Sequence, residues 1–364
     1  MAETSIYRLR PRGAFHFGER GVGVEETSDV LHSDTLFSAL ASAWRQLGEP
    51  LTSGAGMRPL EPFAAGNPPF LVSSALPYAG DVLLFPRPLI PFGSTKALKK
   101  VAFVSEGALL LLAQGDVPDS AARRRQELIQ GGAVWITPEE RKHVRQLLLE
   151  GEENARERAR MAARFEQDAG FMRLWWGHDE PPAPRVALDR LSSASSLFFT
   201  GRLSFAPGCG LYFWASFRDT TARTDLERAL VFLEDEGIGG KRSTGGQFDF
   251  ERLDRELPRM EDPNRLLTLS LYRPSSQEVG ARILRDAWFR RIFRQGWIYS
   301  PEGRNLRRKG LWMLREGSVL RSPPTDGPPP LGTFEDVRPA AGFPHPVWRC
   351  GYAFILPMRL EEAS

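Results

Sequence analysis

The chain has 364 residues, 41% hydrophobic and 26% charged, with a formal net charge of +3, which fits two ordinary globular domains and excludes disordered or low-complexity classes. Two cysteines exclude a disulfide framework and a Cys-rich zinc site, and no stretch approaches the roughly 20 apolar residues of a membrane span. A soluble cytoplasmic protein is expected, strongly biased to arginine: of 48 basic residues only Lys96, Lys99, Lys100, Lys142, Lys241 and Lys309 are lysine.

The arginine fork suits phosphate and base recognition, although a GC-rich genome or a hot habitat produces the same bias. Residues 5–10 (SIYRLR) alternate apolar and basic as a half-buried strand does. Then AFHFG (14–18) places Phe15 and Phe17 around His16, followed by Gly18 and a glycine-rich loop. Such rings either stack unpaired bases or fill a strand core. Residues 33–47 set Leu36, Phe37, Leu40, Trp44 and Leu47 at helical spacing behind Ser33-Asp34-Thr35, predicting a capped amphipathic helix. For His32 and Asp34 three readings stand: metal ligands, acid/base catalysts, or a helix cap with a hydrogen-bonding His. A metal site lacks recognisable further ligands, so the cap reading is preferred.

Short apolar runs at 70–74, 81–85 and 100–105 read as strands. The block LFPRP…KALKK (84–100) interleaves cations with aromatic residues and prolines. From about 119 to 173 the chain turns charge-rich and helical, which predicts an insertion protruding from the first domain. Residues 187–217 read as two strands about the PGCG turn (207–210), and 225–236 as an amphipathic helix with Leu226, Ala229, Leu230 and Leu233 on one face. Strand-like runs continue at 248–253, 266–273, 310–320 and 349–358, with a helical segment near 277–289. The proline-rich 322–334 is a connector. Arginine runs such as ARRRQ and RRIFRQ either line a phosphate track or face solvent. The pattern is α+β.

The stretch DEGIGGKRSTGGQFDF (235–250) ends like a Walker A loop at Gly240-Lys241. Arg242 follows where Ser or Thr is required, and Asp235 holds the first glycine position. It also runs from helix to strand, so no helix N-terminus faces a phosphate. Gly237, Gly239, Gly240, Gly245 and Gly246 permit close backbone approach to an anion. Lys241 and Arg242 add charge, and Ser243 and Thr244 add short donors. The plainer alternative is a C-capping turn at Gly237 followed by a loose loop. No G-x-S-x-G turn or other nucleophile signature is present.

The segments FHFGERGVGVEETSDVLHSDTLFSALASAW, RVALDRLSSASSLFFTGRLSF, GIGGKRSTGGQF and HPVWRCGYAFILPM together resemble the RAMP-superfamily subunit of type III-A CRISPR effectors, the fourth subunit of the Csm complex. The motifs span nearly the whole chain in order; residues 115–185 depart most from the pattern. The resemblance implies two ferredoxin-like (RRM-like) domains with an insertion or thumb in the first. The boundaries expected from it are 1–206, with the insertion at about 115–185, and 207–364, carrying the glycine-rich loop 237–246.

It further implies a non-catalytic subunit that binds the 5′ repeat-derived tag of the crRNA. Its expected partners are the large polymerase-like subunit and the backbone RAMP subunit, with target RNA met indirectly and neither cofactor nor metal. An inserted β-hairpin thumb wedges the guide–target duplex in such proteins. Carried onto this sequence, the RNA-binding set is Phe15 to Gly18, His32 to Asp34 and the loop from Gly237 to Gly246. Arg87, Lys96, Lys99 and Lys100 of the basic patch and Arg190 of the central motif complete it. Two alternatives stand beside this reading. One is a metal-independent repeat-RNA endonuclease, with His16 or His32 as general base and Lys241 or Arg242 steadying developing charge. The other is the tag-binding subunit of a type III-B complex.

Overall fold

A computed structural model of the chain describes residues 3–18, 27–48, 60–93, 95–177, 201–240, 245–298, 306–322, 330–339 and 343–360, and the backbone of 183–188 and 195–200. The chain opens with β1 (Glu3–Pro11) and α1 (Ser33–Gln46). A short α2 (Glu61–Ala64) precedes β2 (Phe70–Val72), β3 (Leu76–Ala79) and β4 (Val82–Pro86). Next come α3 (Lys96–Lys100), β5 (Phe103–Ser105), α4 (Glu106–Ala113), α5 (Ala121–Glu127), β6 (Leu128–Ile129) and β7 (Val134–Trp135). The paired helices α6 (Pro138–Glu150) and α7 (Ala155–Gln167) lead to β8 (Trp175–Trp176), the hairpin of β9 (Ala183–Leu188) and β10 (Ser195–Thr200), and β11 (Ser204–Phe205).

With β12 (Cys209–Phe217), α8 (Thr220–Glu236) and β13 (Phe248–Leu253) the main sheet is complete, in the order β13-β1-β12-β3-β4-β5-β7-β6. β2 and β3 lie against opposite ends of β12, as one strand broken at Ser73-Ser74-Ala75. Taking that broken strand as the second, the order 4-1-3-2 with helices after the first and third strands is the split βαββαβ arrangement. β12 is buried along almost its whole length, as its unbroken apolar run requires of a central strand covered on both faces. The helix α8 starts on Asp219, whose side chain accepts from Ala222 N–H at 2.8 Å. It buries Leu226, Ala229, Leu230 and Leu233, each contributing about 1.5–3 kcal/mol for a large side chain.

The expected boundary at 206/207 is therefore corrected. β12, α8 and β13 belong to the same sheet as β1, and the glycine-rich loop belongs to the first unit. The insertion is corrected as well: β6 and β7 extend the main sheet, β7 parallel to β5, and Ile129, Val134, Trp135 and Ile136 are fully buried. Two-residue strands carry too little periodicity to be seen in sequence. The strands β9 and β10 pair as their own two-stranded sheet at 183–188 and 195–200, beyond most of the segment expected to hold a thumb.

The second unit contains β14 (Arg265–Thr268), α9 (Ser276–Gly280), β15 (Arg291–Arg294), β16 (Leu311–Leu314), β17 (Val319–Arg321), β18 (Phe334–Asp336), β19 (Trp348–Cys350) and β20 (Ile355–Met358). Its sheet runs β17-β14-β20, and β15–β16 and β18–β19 are separate pairs. Among the described residues the second unit thus has a three-stranded sheet, two strand pairs and one short helix, α9, short of the four strands and two helices expected of a ferredoxin-like unit. The two units share one core: Leu267, Leu269, Val319, Phe354 and Leu356 pack in the same cluster as Leu36, Phe37 and Trp214. Phe334 reaches Phe37 at 5.5 Å and Phe63 at 5.6 Å between ring centroids. No helix among the described residues is long and apolar enough to cross a membrane.

Candidate nucleic-acid interface

Three features govern where this chain can meet a ligand: the glycine-rich loop, the polar seam between the units, and a basic hairpin in the second unit. The loop leaves α8 at Gly237, the helix C-cap, whose N–H bonds Leu233 O at 2.8 Å. It then lies along the segment after β1. Gly240 N–H donates to His16 O at 3.0 Å, Gly246 N–H to Ala14 O at 3.0 Å, and Ile238 N–H to Gly246 O at 2.9 Å. Arg12 ties both ends, bonding Asp235 at 2.7 Å and Asp249 at 2.8 Å.

Two glycines show why the sequence needs them. At Gly239 (φ 109°) an added Cβ lies 2.6 Å from His16 O, and at Gly246 (φ 88°) 2.5 Å from Ile238 O. The reading of these amides as an open nest around a phosphate is thus corrected in part: several already bond the chain's own backbone, and the glycines permit that close approach. Gly237, Ile238 and Gly246 are buried, Gly239 and Gly245 half-buried, and Gly240 exposed. Lys241, Arg242, Ser243 and Thr244 lie outside the described residues, between stems fixed at Gly240 and Gly245.

Phe15 and Phe17 stack on each other at 5.2 Å and are 1% and 5% exposed. Phe15 also bridges Leu203 in both directions. Of the two readings of AFHFG the core one holds, and these rings are not a base-stacking platform. His16 is buried, with Nδ1 3.0 Å from Gly201 O, and Gly18 is exposed.

The motif His32-Ser33-Asp34 is buried at the seam. His32 occupies the N-cap of α1 without capping it through its side chain. The expected Ser/Asp cap is corrected, because both side chains are engaged across the seam. Ser33 Oγ accepts from Leu271 N–H at 3.0 Å, while Ser33 N–H donates to Ser74 Oγ at 2.9 Å. His32 Nδ1 donates to Glu316 Oε1 at 2.7 Å, and Ser74 Oγ donates to the same oxygen.

Asp34 takes a bidentate grip from Arg294, Nε to Oδ2 at 3.0 Å and Nη2 to Oδ1 at 2.9 Å, and a further bond from Arg349. Burial pushes the Asp34 carboxyl up, but Arg294 and Arg349 beside it hold it well below the usual carboxylate range. For Glu316, burial is likewise outweighed, by the neighbouring His32 and by the bonds from His32 and Ser74. Arg308 is half-buried next to this cluster, and desolvation with the like charge of Arg349 brings its pKa down to about 10. Assigning His32, Ser33 and Asp34 to RNA contact is corrected on the same ground: their side chains join the two units and face no solvent. Sequence could not supply Arg294, Arg349 or Glu316, which stand more than 200 positions away.

The expected basic patch divides. Arg87 is half-buried, its Nε on Val101 O at 2.8 Å and its guanidinium over the Phe92 ring at 5.1 Å, so it braces the chain locally. Desolvation lowers its pKa. Lys96, Lys99 and Lys100 are exposed around buried Leu98 on α3, beside Gln130–Gly132. Arg190 lies outside the described residues. Of the β8 residues, Trp175 is 2% and Trp176 36% exposed. Among the described residues no group of three or more His, Cys, Asp or Glu is placed to hold a metal ion.

Residues 261–358 match the family model of the CRISPR Csm4 C-terminal domain, which begins where the second unit begins. The chain is 26% identical over 374 aligned residues to the CRISPR system Cms protein Csm4 of Thermococcus onnurineus (strain NA1), covering 100% of this chain and 99% of that protein. It is similar to a chain in the crystal structure of the Csm3-Csm4 subcomplex in the type III-A CRISPR-Cas interference complex. The TM-score is 0.66 at 18% identity, over 98% of this chain and 99% of that one. A chain in the crystal structure of the Csm1-Csm4 cassette in complex with cA4 aligns with TM-score 0.51 at 19% identity, over 99% and 100%. A matching C-terminal domain, full-length similarity to a Csm4 protein and a shared fold agree: residues 261–358 carry the Csm4 C-terminal domain, and the chain as a whole is similar to Csm4 proteins of CRISPR complexes.

Proposed function

We propose that this chain is a non-catalytic subunit of a type III CRISPR effector that holds the 5′ repeat-derived tag of the guide RNA. It docks the polymerase-like large subunit and the backbone subunit. The observation that carries the reading is the loop: both stems are bonded to residues 14–16, so Lys241-Arg242-Ser243-Thr244 connect fixed ends. Fixed ends lower the ordering cost when a flexible polyanion is gripped, and cations with short donors suit sugar-phosphate backbone. The similar proteins crystallised as a Csm3-Csm4 subcomplex and a Csm1-Csm4 cassette support two docking faces.

Binding is favoured over RNA cleavage because both candidate general bases are enclosed, His16 at 8% and His32 at 3% exposure. Metal-free cleavage of repeat RNA, abolished by His16→Ala or His32→Ala, would overturn the non-catalytic assignment. The direct test of the loop is the salt dependence of guide-RNA binding by Lys241→Ala/Arg242→Ala. Each lost phosphate contact flattens the log–log slope by roughly 0.7 on a single strand. An unchanged slope contradicts a phosphate grip.

A further inference from the structure

The hairpin of β15 and β16 carries a surface that the loop does not account for. Large apolar side chains exposed by more than a third cluster here: Phe289 at 38%, Phe293 at 41%, Trp297 at 49%, Leu306 at 43% and Trp312 at 50%. Elsewhere among the described residues such side chains stand scattered. Phe293 and Trp312 are register partners with ring centroids 5.2 Å apart. Arg291 lies over the Trp312 ring at 5.3 Å and Arg307 over the Trp297 ring at 4.7 Å.

Charge distinguishes this surface from an ordinary apolar dock. The described residues 287–298 and 306–315 include Arg290, Arg291, Arg294, Arg307, Arg308, Lys309 and Arg315 and contain no Asp or Glu. Arg290, Arg291, Arg307 and Lys309 are exposed and make no salt bridge among the described residues. The pleat sets the division of labour: Arg294 points inward to Asp34, pinning the strand to α1, while Arg291 and Phe293 are exposed.

We infer that the outward face of the β15–β16 hairpin is a second single-stranded RNA surface, on which Phe293, Trp312 and Trp297 stack bases while Arg290, Arg291, Arg307 and Lys309 take phosphates. The inference rests on the guide-RNA reading and adds a site on the second unit. Rings capped by guanidinium groups, beside exposed cations that make no salt bridge among the described residues, match a chain of π-faces and phosphates. Protein docks also enrich Trp, Phe and Arg, so it is the excess of cations around the rings, Lys309 included, that favours RNA as the occupant.

The test is anisotropy of a fluorescein-labelled single-stranded RNA of about 12 nucleotides, titrated with the full chain. Phe293→Ala/Trp312→Ala is expected to weaken Kd by at least about tenfold with an unchanged melting midpoint, since both side chains are largely exposed. Trp312→Phe, which keeps a ring, is expected to bind within about threefold of the wild type. Wild-type affinity in the double variant overturns the inference, whether or not that variant also loses a protein partner in co-purification. If the same preparations remain sensitive to Lys241→Ala/Arg242→Ala, the guide-RNA reading survives; absence of RNA binding by the wild type overturns both.

Discussion

Asp34 is 1% exposed and lies among the guanidiniums of Arg294, Arg349 and Arg308, the first two of which it bonds. Removing its charge strands buried Arg294 and Arg349, so Asp34→Asn is expected to cost about 3–5 kcal/mol, read as a lowered urea midpoint. The pH dependence has a definite sign. Asp34 and Glu316 are held below their ordinary range in the fold, so their contribution is full above the unfolded values of about 3.9 and 4.3. It is lost as pH falls through the lower folded values. Urea midpoints should therefore drop below about pH 4 in the wild type, and less steeply in Asp34→Asn; equal steepness contradicts the assignment. Burial pushes the Cys209 and Cys350 thiols up to about 12, so neither should be alkylated by iodoacetamide at pH 8 without denaturant. The sequence made His32 and Asp34 legible as a polar pair at a helix start. Their partners were not legible, because nothing local marks an ion pair across 260 to 315 positions.

At the scale of elements, the glycine-rich loop shows the same limit in another form. Its place between a helix and a strand and its glycine count were readable, and the Walker alternative fell on spacing and direction alone. The reason for the glycines is a contact with residues 14–16, which no local pattern announces. Gly246→Ala places a Cβ against Ile238 O at φ 88°. It is expected to cost about 1–3 kcal/mol and to weaken RNA binding as the stems loosen. Full affinity with unchanged stability would show that the bracing does not matter. The run RRIFRQ was ambiguous between phosphate track and solvated charge. The pleat of β15 divides it, turning Arg294 inward onto Asp34 and Arg291 outward.

Across the whole molecule, the α+β class and most strands were visible in apolar runs, whereas the division of the chain was not. The boundary at 206/207 was expected from the resemblance. Sheet pairing, which depends on contacts between β1, β12 and β13, moves the division past β13. Because one core and a buried ion cluster span both units, the full chain should unfold in a single transition, with far-UV circular dichroism and tryptophan fluorescence coincident. Two separated transitions would contradict a shared core.

Whether this chain holds a guide RNA by its repeat-derived end can be decided by affinity-purifying the tagged full-length chain from its own cells and sequencing the RNA that co-purifies. The expected yield is short RNAs with one common 5′ sequence followed by varied sequence, depleted when Lys241 and Arg242 are both alanine. RNAs with no shared 5′ end, or a yield indifferent to those two substitutions, would contradict it.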